Sequence, residues 1–200
     1  MKHHVTVLIL AAGSSSRMGK MKQLLPWKNT TLLGSAISAA KASKASEIIV
    51  VLGYHAARIR ESLTNHRIIL LENREWETGM GSSVRCGMQY VLNKTSLPDA
   101  VLIMLCDQPF LGTGYLNEMI EAYYASPKNI IGTAYGRSAG VPALFGKSYF
   151  SMLKGISGKE GAREVISGHS DDTVTLNAND LLGDVDNDED YRSLLDKLKE

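Results

Sequence analysis

The amino-acid sequence predicts a three-layer α/β/α sandwich built around a mostly parallel sheet. Short apolar runs rich in Val and Ile alternate with longer amphipathic stretches, the pattern of parallel strands joined by crossover helices. These runs are apolar at every position, as expected of strands that helices cover on both faces. We predict strands at Val5–Leu10, Ile48–Leu52, Ile68–Leu71, Ala100–Leu105 and Ile130–Thr133, and helices at Leu32–Ala45, His55–Leu63, Ser82–Leu92 and Tyr115–Tyr124.

The pattern changes after about residue 134. Gly and Pro recur between residues 136 and 146, which predicts loops and short strands there. Further on we predict helices that start at Lys147 and Gly161, a strand at Thr173–Leu176 and a last helix at Asp188–Leu198, with Asp188 as its N-cap. Neither a repeat nor a linker-like tract interrupts the chain, so we expect a single domain over residues 1–200.

The composition of the chain argues against several classes of protein. The net charge of +1 argues against a nucleic-acid-binding or membrane-surface protein. With two cysteines and no C-x-x-C pair, we expect no disulfide framework and a reducing, cytoplasmic setting. The apolar run near the N-terminus, about six residues, is too short for a signal peptide or a membrane span.

The charge distribution is uneven along the chain. The first 46 residues hold seven Lys or Arg and no acidic residue, whereas residues 171–200 hold ten Asp or Glu against three Lys or Arg. Brought together by folding, such ends would suit a polyanionic substrate that also needs a divalent cation.

The first predicted strand opens into a loop of small residues, Ala11-Ala12-Gly13-Ser14-Ser15-Ser16-Arg17-Met18-Gly19, followed by Lys20 and Lys22. The backbone N–H groups of such a loop can surround a phosphate chain, and Arg and Lys can neutralise its charge. The glycine spacing does not fit a Walker loop, and residue 15 is not the Gly that a dinucleotide fingerprint requires. The loop therefore predicts phosphate binding of another type.

Three further segments indicate chemistry. Asp107 follows a fully apolar strand, at the sheet edge where α/β proteins bind ligands, and an Asp there can hold Mg²⁺. Gly79 and Gly81 precede a predicted helix, where Ser82 either caps the helix or contacts a ligand. Five of the seven residues 184–190 are acidic, and Asp186, one step outside the last helix, is the one expected to reach a metal.

Other catalytic classes lack support in the sequence. The histidines have no zinc-site spacing, no Ser lies in a G-x-S-x-G elbow, and neither Cys86 nor Cys106 has an evident base. The chemistry that remains is charge neutralisation around phosphates.

The ordered motifs carry a family resemblance. The segment from Leu10 to Trp27 resembles the signature of nucleotidyltransferases that attach a nucleotide to a phosphorylated acceptor. Together with the segments 106–109, 140–145, 158–163 and 184–191, it is most similar to the molybdenum cofactor cytidylyltransferases. The resemblance covers nearly the whole chain and implies a Rossmann-like sheet of the nucleotide-diphospho-sugar transferase type.

The resemblance also implies a reaction and roles for residues. The terminal phosphate of the molybdopterin cofactor would attack the α-phosphorus of CTP and release pyrophosphate, with Mg²⁺ as cofactor. The catalytic residues would be Arg17, Lys22 and Asp107, and the metal ligands Asp107 and Asp186. Nucleotide binding would involve Ala11, Ala12, Gly13, Arg17, Lys22, Gly81, Ser82 and Ser83, and acceptor binding would involve Gln108, Pro109, Gly140 and Pro142.

Several alternatives stay open. Val141 and Lys159 stand where many relatives carry His and an acidic residue, both on the expected acceptor side. The enzyme could use GTP with the same cofactor, or CTP with another small phosphate. A protein of a different class, a non-catalytic carrier that hands the cofactor to a molybdenum hydroxylase such as xanthine dehydrogenase, would not need a complete metal and triphosphate site.

Overall fold

A computed structural model describes residues 3–16, 18–63, 68–158 and 160–198, with only the backbone of Asp180. The strands of this part of the chain are β1 (Val5–Ala11), β2 (Pro26–Trp27), β3 (Thr30–Thr31), β4 (Glu47–Leu52), β5 (Ile69–Glu72), β6 (Ala100–Leu105), β7 (Ile130–Tyr135), β8 (Ser138–Gly146) and β9 (Thr173–Leu176). Its α-helices are α1 (Leu32–Ala42), α2 (Ala56–Glu61), α3 (Met80–Leu92), α4 (Thr113–Ala125), α5 (Phe150–Gly155), α6 (Ala162–Gly168) and α7 (Asp188–Lys197).

Seven strands form one sheet in the order β5-β4-β1-β6-β8-β7-β9. The strands β5, β4, β1 and β6 are parallel, and so are β7 and β9, whereas β8 runs antiparallel to both of its neighbours. The short strands β2 and β3 pair with each other outside this sheet. The predicted fold class, a mostly parallel sheet with helices, is confirmed.

Helices cover the sheet on both faces. One apolar core contains Leu33 of α1, Ile59 of α2 and Leu116 of α4. The other contains Val84 of α3 and residues of α5 and α6. Every residue of β1 is buried, which explains why this strand is apolar at each position. Among the described residues, none of the helices has the length and apolar composition needed to cross a bilayer.

The prediction for residues 136–146 was wrong. In place of loops and short strands, Ser138–Gly146 forms the nine-residue strand β8. Its register against β7 shifts between Gly132 and Thr133, so that Val141 and Pro142 form a bulge. Pro142 therefore removes no hydrogen bond from a regular ladder, and the sheet tolerates a residue that normally argues against a central strand.

Two helical glycines in equivalent positions differ in their surroundings, which gives a stability prediction. Gly81 and Gly114 are each the second residue of a 13-residue helix. A Cβ at Gly81 would lie 2.5 Å from the Glu160 carbonyl oxygen and 2.7 Å from Ile156 Cγ2, whereas one at Gly114 has no neighbour within 4 Å. We expect Gly81→Ala to lower the free energy of unfolding by about 1–3 kcal/mol, and Gly114→Ala to raise it by up to about 1 kcal/mol.

Equilibrium urea denaturation of the two variants and the wild type measures both changes. Equal effects of the two substitutions would show that the close approach of Ile156 and Glu160 to α3 is not what constrains Gly81.

Candidate active site

A cavity of about 440 Å³ opens at the edge of the sheet where the parallel strands end. The loop after β1 supplies one wall, the segment before α3 supplies another, and the residues after β6 close the base. The lining residues are Leu10, Ala11, Ala12, Gly13, Ser14, Ser15, Ser16, Lys22, Gln23, Trp76, Glu77, Gly79, Met80, Ser83, Leu105, Cys106, Asp107 and Asp186.

The side chain of Gln23 holds the start of the loop after β1, although no local sequence pattern marks it. Gln23 is 3% exposed. Its Nε2 donates to the carbonyl oxygens of Ala11 and Gly13 at 3.0 and 2.8 Å. The next turn bends sharply, with a positive φ of 53° at Ser15. Gln23 therefore holds the start of the loop at two backbone positions.

A cationic side chain and two carboxylates meet at this cavity. Lys22 Nζ donates to Asp107 Oδ2 at 2.6 Å and lies 3.6 Å from Asp186 Oδ1. Burial, the largest single effect, would lower the pKa of Lys22, but Asp107, with smaller contributions from Cys106 and Asp186, outweighs it and the net pKa is raised. The ammonium of Lys22 therefore stays charged between the two acids.

The second oxygen of Asp107 has no hydrogen-bond partner among the residues that the structure describes. This oxygen, Oδ1, is buried. A buried carboxylate oxygen normally has a donor or a cation beside it. Because this carboxylate lines the cavity, its unused oxygen is available to something that binds there.

The apolar packing of the preceding residue, Val185, brings Asp186 to the site. Val185 is fully buried against Trp27 and Leu194. The N–H of Val185 donates to the Asp107 carbonyl oxygen at 3.0 Å. The prediction that Asp188 caps the last helix was wrong, because the N-cap of α7 is Asn187, whose side chain accepts from the N–H groups of residues 189 and 190. Asn187 Oδ1 accepts these hydrogen bonds as an Asp carboxylate would, but it adds no negative charge to the acidic residues around it.

The three residues at the start of α3 have different surroundings. Ser83 lines the cavity. Gly81 instead faces Ile156 and Glu160. The hydroxyl of Ser82 accepts from Asn73 Nδ2 at 2.8 Å and donates to the Gly79 carbonyl oxygen at 2.7 Å. Gly81 and Ser82 are therefore not part of the cavity wall, and their contacts hold the start of the helix.

The residues expected on the acceptor side lie next to the cavity without lining it. Gln108 Nε2 donates to Tyr135 Oη and to Asp184 Oδ1, both at 2.8 Å, while its Oε1 is buried without a partner among the described residues. Tyr135 Oη donates to the Val141 carbonyl oxygen at 2.6 Å. These contacts connect Gln108 to the bulge that contains Gly140 and Pro142, and Pro109 follows directly after Gln108.

Two further titratable groups, Asp184 and Cys106, have shifted pKa values. Partial desolvation and the carboxylates of Asp107 and Asp186 raise the pKa of Asp184, against the opposing effect of its hydrogen bond from Gln108. Burial raises the pKa of the Cys106 thiol to about 12, so this cysteine is protonated at neutral pH and does not act as a nucleophile.

Not all predicted site residues can be placed, and two wall residues were missed. Arg17 lies outside the described residues. Gln23 gave no signal in the sequence, because its role depends on a tertiary contact. Trp76 lies in a segment that reads as a turn, and a large aromatic residue beside Gly79 was the signal that could have found it. Among the described residues no group of three or more His, Cys, Asp or Glu could hold a metal ion by itself.

Comparison with known proteins finds relatives of this chain. Purine catabolism protein PucB of Bacillus subtilis is 29% identical over 199 residues, which cover 92% of each chain. The molybdenum cofactor cytidylyltransferase of Escherichia coli is 35% identical over 88 residues, which cover 44% of this chain and 45% of that protein.

Solved structures extend the comparison to the fold. The crystal structure of Rv0371c from Mycobacterium tuberculosis aligns with a TM-score of 0.84 at 26% identity, over 98% of this chain and all of that one. A second crystal structure of Rv0371c, described as a complex with manganese, aligns with a TM-score of 0.77 at 26% identity, over 96% of this chain and 98% of that one.

A domain family adds the most direct finding. The family described as MobA-like NTP transferase domain matches residues 7–174, which contain the loop after β1, Lys22 and Asp107. The chain therefore belongs to the MobA-like NTP transferase family and is a nucleotidyltransferase of that type.

Proposed function

We propose that this chain is a cytoplasmic enzyme that transfers CMP from CTP to the terminal phosphate of the molybdopterin cofactor. The observation that carries the proposal is the position of Lys22 between Asp107 and Asp186 beside the loop after β1. A cation, two carboxylates and a backbone-walled cavity are what a nucleotidyl transfer needs. The choice of cytosine and of the cofactor is supported by the name of the relative from Escherichia coli.

The reaction is a displacement at phosphorus. An oxygen of the acceptor phosphate forms a bond to the α-phosphorus of CTP, and the bond from that phosphorus to the bridging oxygen of the β-phosphate breaks, so that pyrophosphate leaves. The backbone of Ala11, Ala12 and Gly13 binds the nucleoside. Lys22, with Arg17, draws charge from the triphosphate and from the leaving group. Holding these groups in line and neutralising their charge is the main contribution of the protein.

The donor set fits a divalent cation. Asp107 Oδ1 is buried without a partner among the described residues, and Asp186 is the second carboxylate at Lys22. Mg²⁺ prefers one or two carboxylates together with phosphate oxygens and water. We therefore propose that Asp107 and Asp186 hold Mg²⁺, which would neutralise charge on the α-phosphate. The manganese complex of Rv0371c supports a divalent metal in a relative.

The acceptor side of the site is formed by the contacts around Gln108. We propose that Gln108, Pro109, Gly140 and Pro142 face the cofactor. The buried Oε1 of Gln108 supports this, because it is a hydrogen-bond acceptor without a donor among the described residues. An N–H group of the bound cofactor could fill that place.

A pyrophosphate-release assay tests the proposal. The enzyme is given CTP, GTP, ATP or UTP, each with and without the molybdopterin cofactor and Mg²⁺. We expect release with CTP, the cofactor and Mg²⁺ together. If GTP is the one nucleotide that gives release, the nucleotide substrate is GTP and not CTP. If CTP gives release with another small phosphate, that phosphate and not the molybdopterin cofactor is the acceptor. No release with any pair would favour a carrier for a molybdenum hydroxylase.

Substitution of Asp107 tests the metal and charge site. Asp107→Asn keeps the shape of the side chain but removes the charge at Lys22, so we expect turnover to fall at least about a hundredfold. Asp188→Asn is the matched control, because Asp188 pairs with Lys20 at 3.5 Å and does not line the cavity.

Turnover of both variants is measured by pyrophosphate release, and their thermal unfolding is compared with that of the wild type. A folded Asp107→Asn variant with near-normal turnover would contradict the role of Asp107.

Substitution of Gln23 tests whether the loop must be preformed. Gln23→Met removes the donor to the carbonyl oxygens of Ala11 and Gly13 at similar side-chain volume. We expect the dissociation constant for CTP, measured by calorimetry, to rise about tenfold, since the cost of ordering the loop is then added to binding. Gln89→Met, an exposed position on α3, is the control and should leave CTP binding unchanged. Equal affinities in both variants would show that the loop does not depend on Gln23.

A further inference from the structure

Trp76 stands directly beside the loop after β1. It lies in a short helical turn after β5 and lines the cavity. The Cβ of Trp76 packs closely against Gly53. A Cβ added at Gly53 would lie 2.7 Å from both Trp76 Cβ and the Ala12 carbonyl oxygen. The same carbonyl oxygen accepts the N–H of Tyr54 at 3.0 Å. The Cβ of Trp76, from which the indole extends, is therefore held close to the loop.

The indole ring is held on one side and open on another. The ring centroids of Trp76 and Tyr54 lie 5.3 Å apart with the planes at 61°. Trp76 is only partly buried, and Met80, another residue of the cavity wall, is 48% exposed. A large aromatic ring that is fixed by its neighbours and still faces a cavity offers an apolar surface to a flat ligand.

The cavity has two chemically different ends. Gly53, which contacts Trp76, follows β4, whereas Asp107 follows β6, and β1 lies between these strands. Two strand spacings put the ends about 10 Å apart. Lys22, Asp107 and Asp186 lie at the β6 end, and Trp76, followed in the chain by Glu77, lies at the β4 end, with the backbone of the loop between them. This order matches a nucleotide, which has phosphates at one end and an aromatic base at the other.

From this arrangement we propose that the indole of Trp76 is the surface on which the nucleobase of the bound nucleotide stacks. The proposal rests on the proposed function, because it takes the cavity to be a nucleotide site. Stacking on an aromatic side chain stabilises a base by its flat face and accepts any base. Trp76 is then a positioning residue that contributes affinity, while the choice among bases is left to hydrogen bonds from the loop backbone.

Intrinsic fluorescence provides a direct readout. The chain has two Trp residues; Trp27 is fully buried and does not line the cavity, and the signal of Trp76→Phe in the same titration is subtracted as its contribution. Titration with CTP and Mg²⁺ should quench the emission of Trp76. Inorganic tripolyphosphate with Mg²⁺, which occupies only the charged end, should leave the emission unchanged.

Three variants separate stacking from a structural role. Trp76→Ala should weaken CTP binding about tenfold or more in calorimetry and leave tripolyphosphate binding unchanged. Trp76→Phe keeps a stacking ring, so it should bind CTP within a few-fold of the wild type while losing the fluorescence change. Tyr90→Ala removes an exposed aromatic residue of α3 outside the cavity and should keep both signals.

The outcomes distinguish this assignment from the function itself. If the wild type binds CTP in calorimetry with no fluorescence change, the base does not stack on Trp76. Unchanged CTP affinity in Trp76→Ala has the same meaning, and if that variant does not fold, the fluorescence of the wild type and of Trp76→Phe still decides. If the wild type binds tripolyphosphate but no nucleotide, both the proposed function and the stacking surface are overturned.

Discussion

The contact of the Lys22 ammonium with Asp107 and Asp186 is the interaction on which the site depends. It joins three distant parts of the chain: the segment after the first loop, the end of β6, and the turn before α7. The side chains of Lys22 and Asp107 are only 15% and 14% exposed. Removing either one leaves a partly buried charge without its partner, which costs more than the intact pair contributes. The loop and both carboxylates are therefore coupled and hold one another in place.

The ion pair sits on an apolar cluster that determines where Asp186 can be. Trp27, Val185 and Leu194 are buried together beside the site. Apolar packing is non-directional, so it brings the C-terminal segment close without setting its orientation. The hydrogen bond from the Val185 N–H to the Asp107 carbonyl oxygen adds direction. Together they explain how a carboxylate 79 positions away from Asp107 in the sequence comes to the same ammonium.

The sequence predicted the parts of the fold that depend on local pattern. Strand β6 was located correctly at both ends, and β1 and β4 to within one residue, because buried parallel strands are continuous apolar runs. Strand β8 was missed because Gly140 and Pro142 normally break strands, and only the tertiary register shows that they occupy a bulge. Gln23 was missed for a similar reason, since nothing local distinguishes a glutamine that holds a loop from one that faces solvent.

The shape of the loop explains why a side chain has to hold it. In Walker and dinucleotide-binding proteins, the phosphate loop runs directly into a helix whose first turn fixes the N–H groups. Here the first α-helix of the described chain after β1 begins only at Leu32, with Thr31 as its N-cap. In the described chain no α-helix continues directly from the loop, so its start is held by Gln23, and Lys22 supplies positive charge beside it. Asp107, Asp186 and the Lys22 ammonium together carry a net charge of −1, which a divalent cation beside the two carboxylates would change to +1. In the proposed nucleotide site this positive charge would offset part of the negative charge of the polyphosphate.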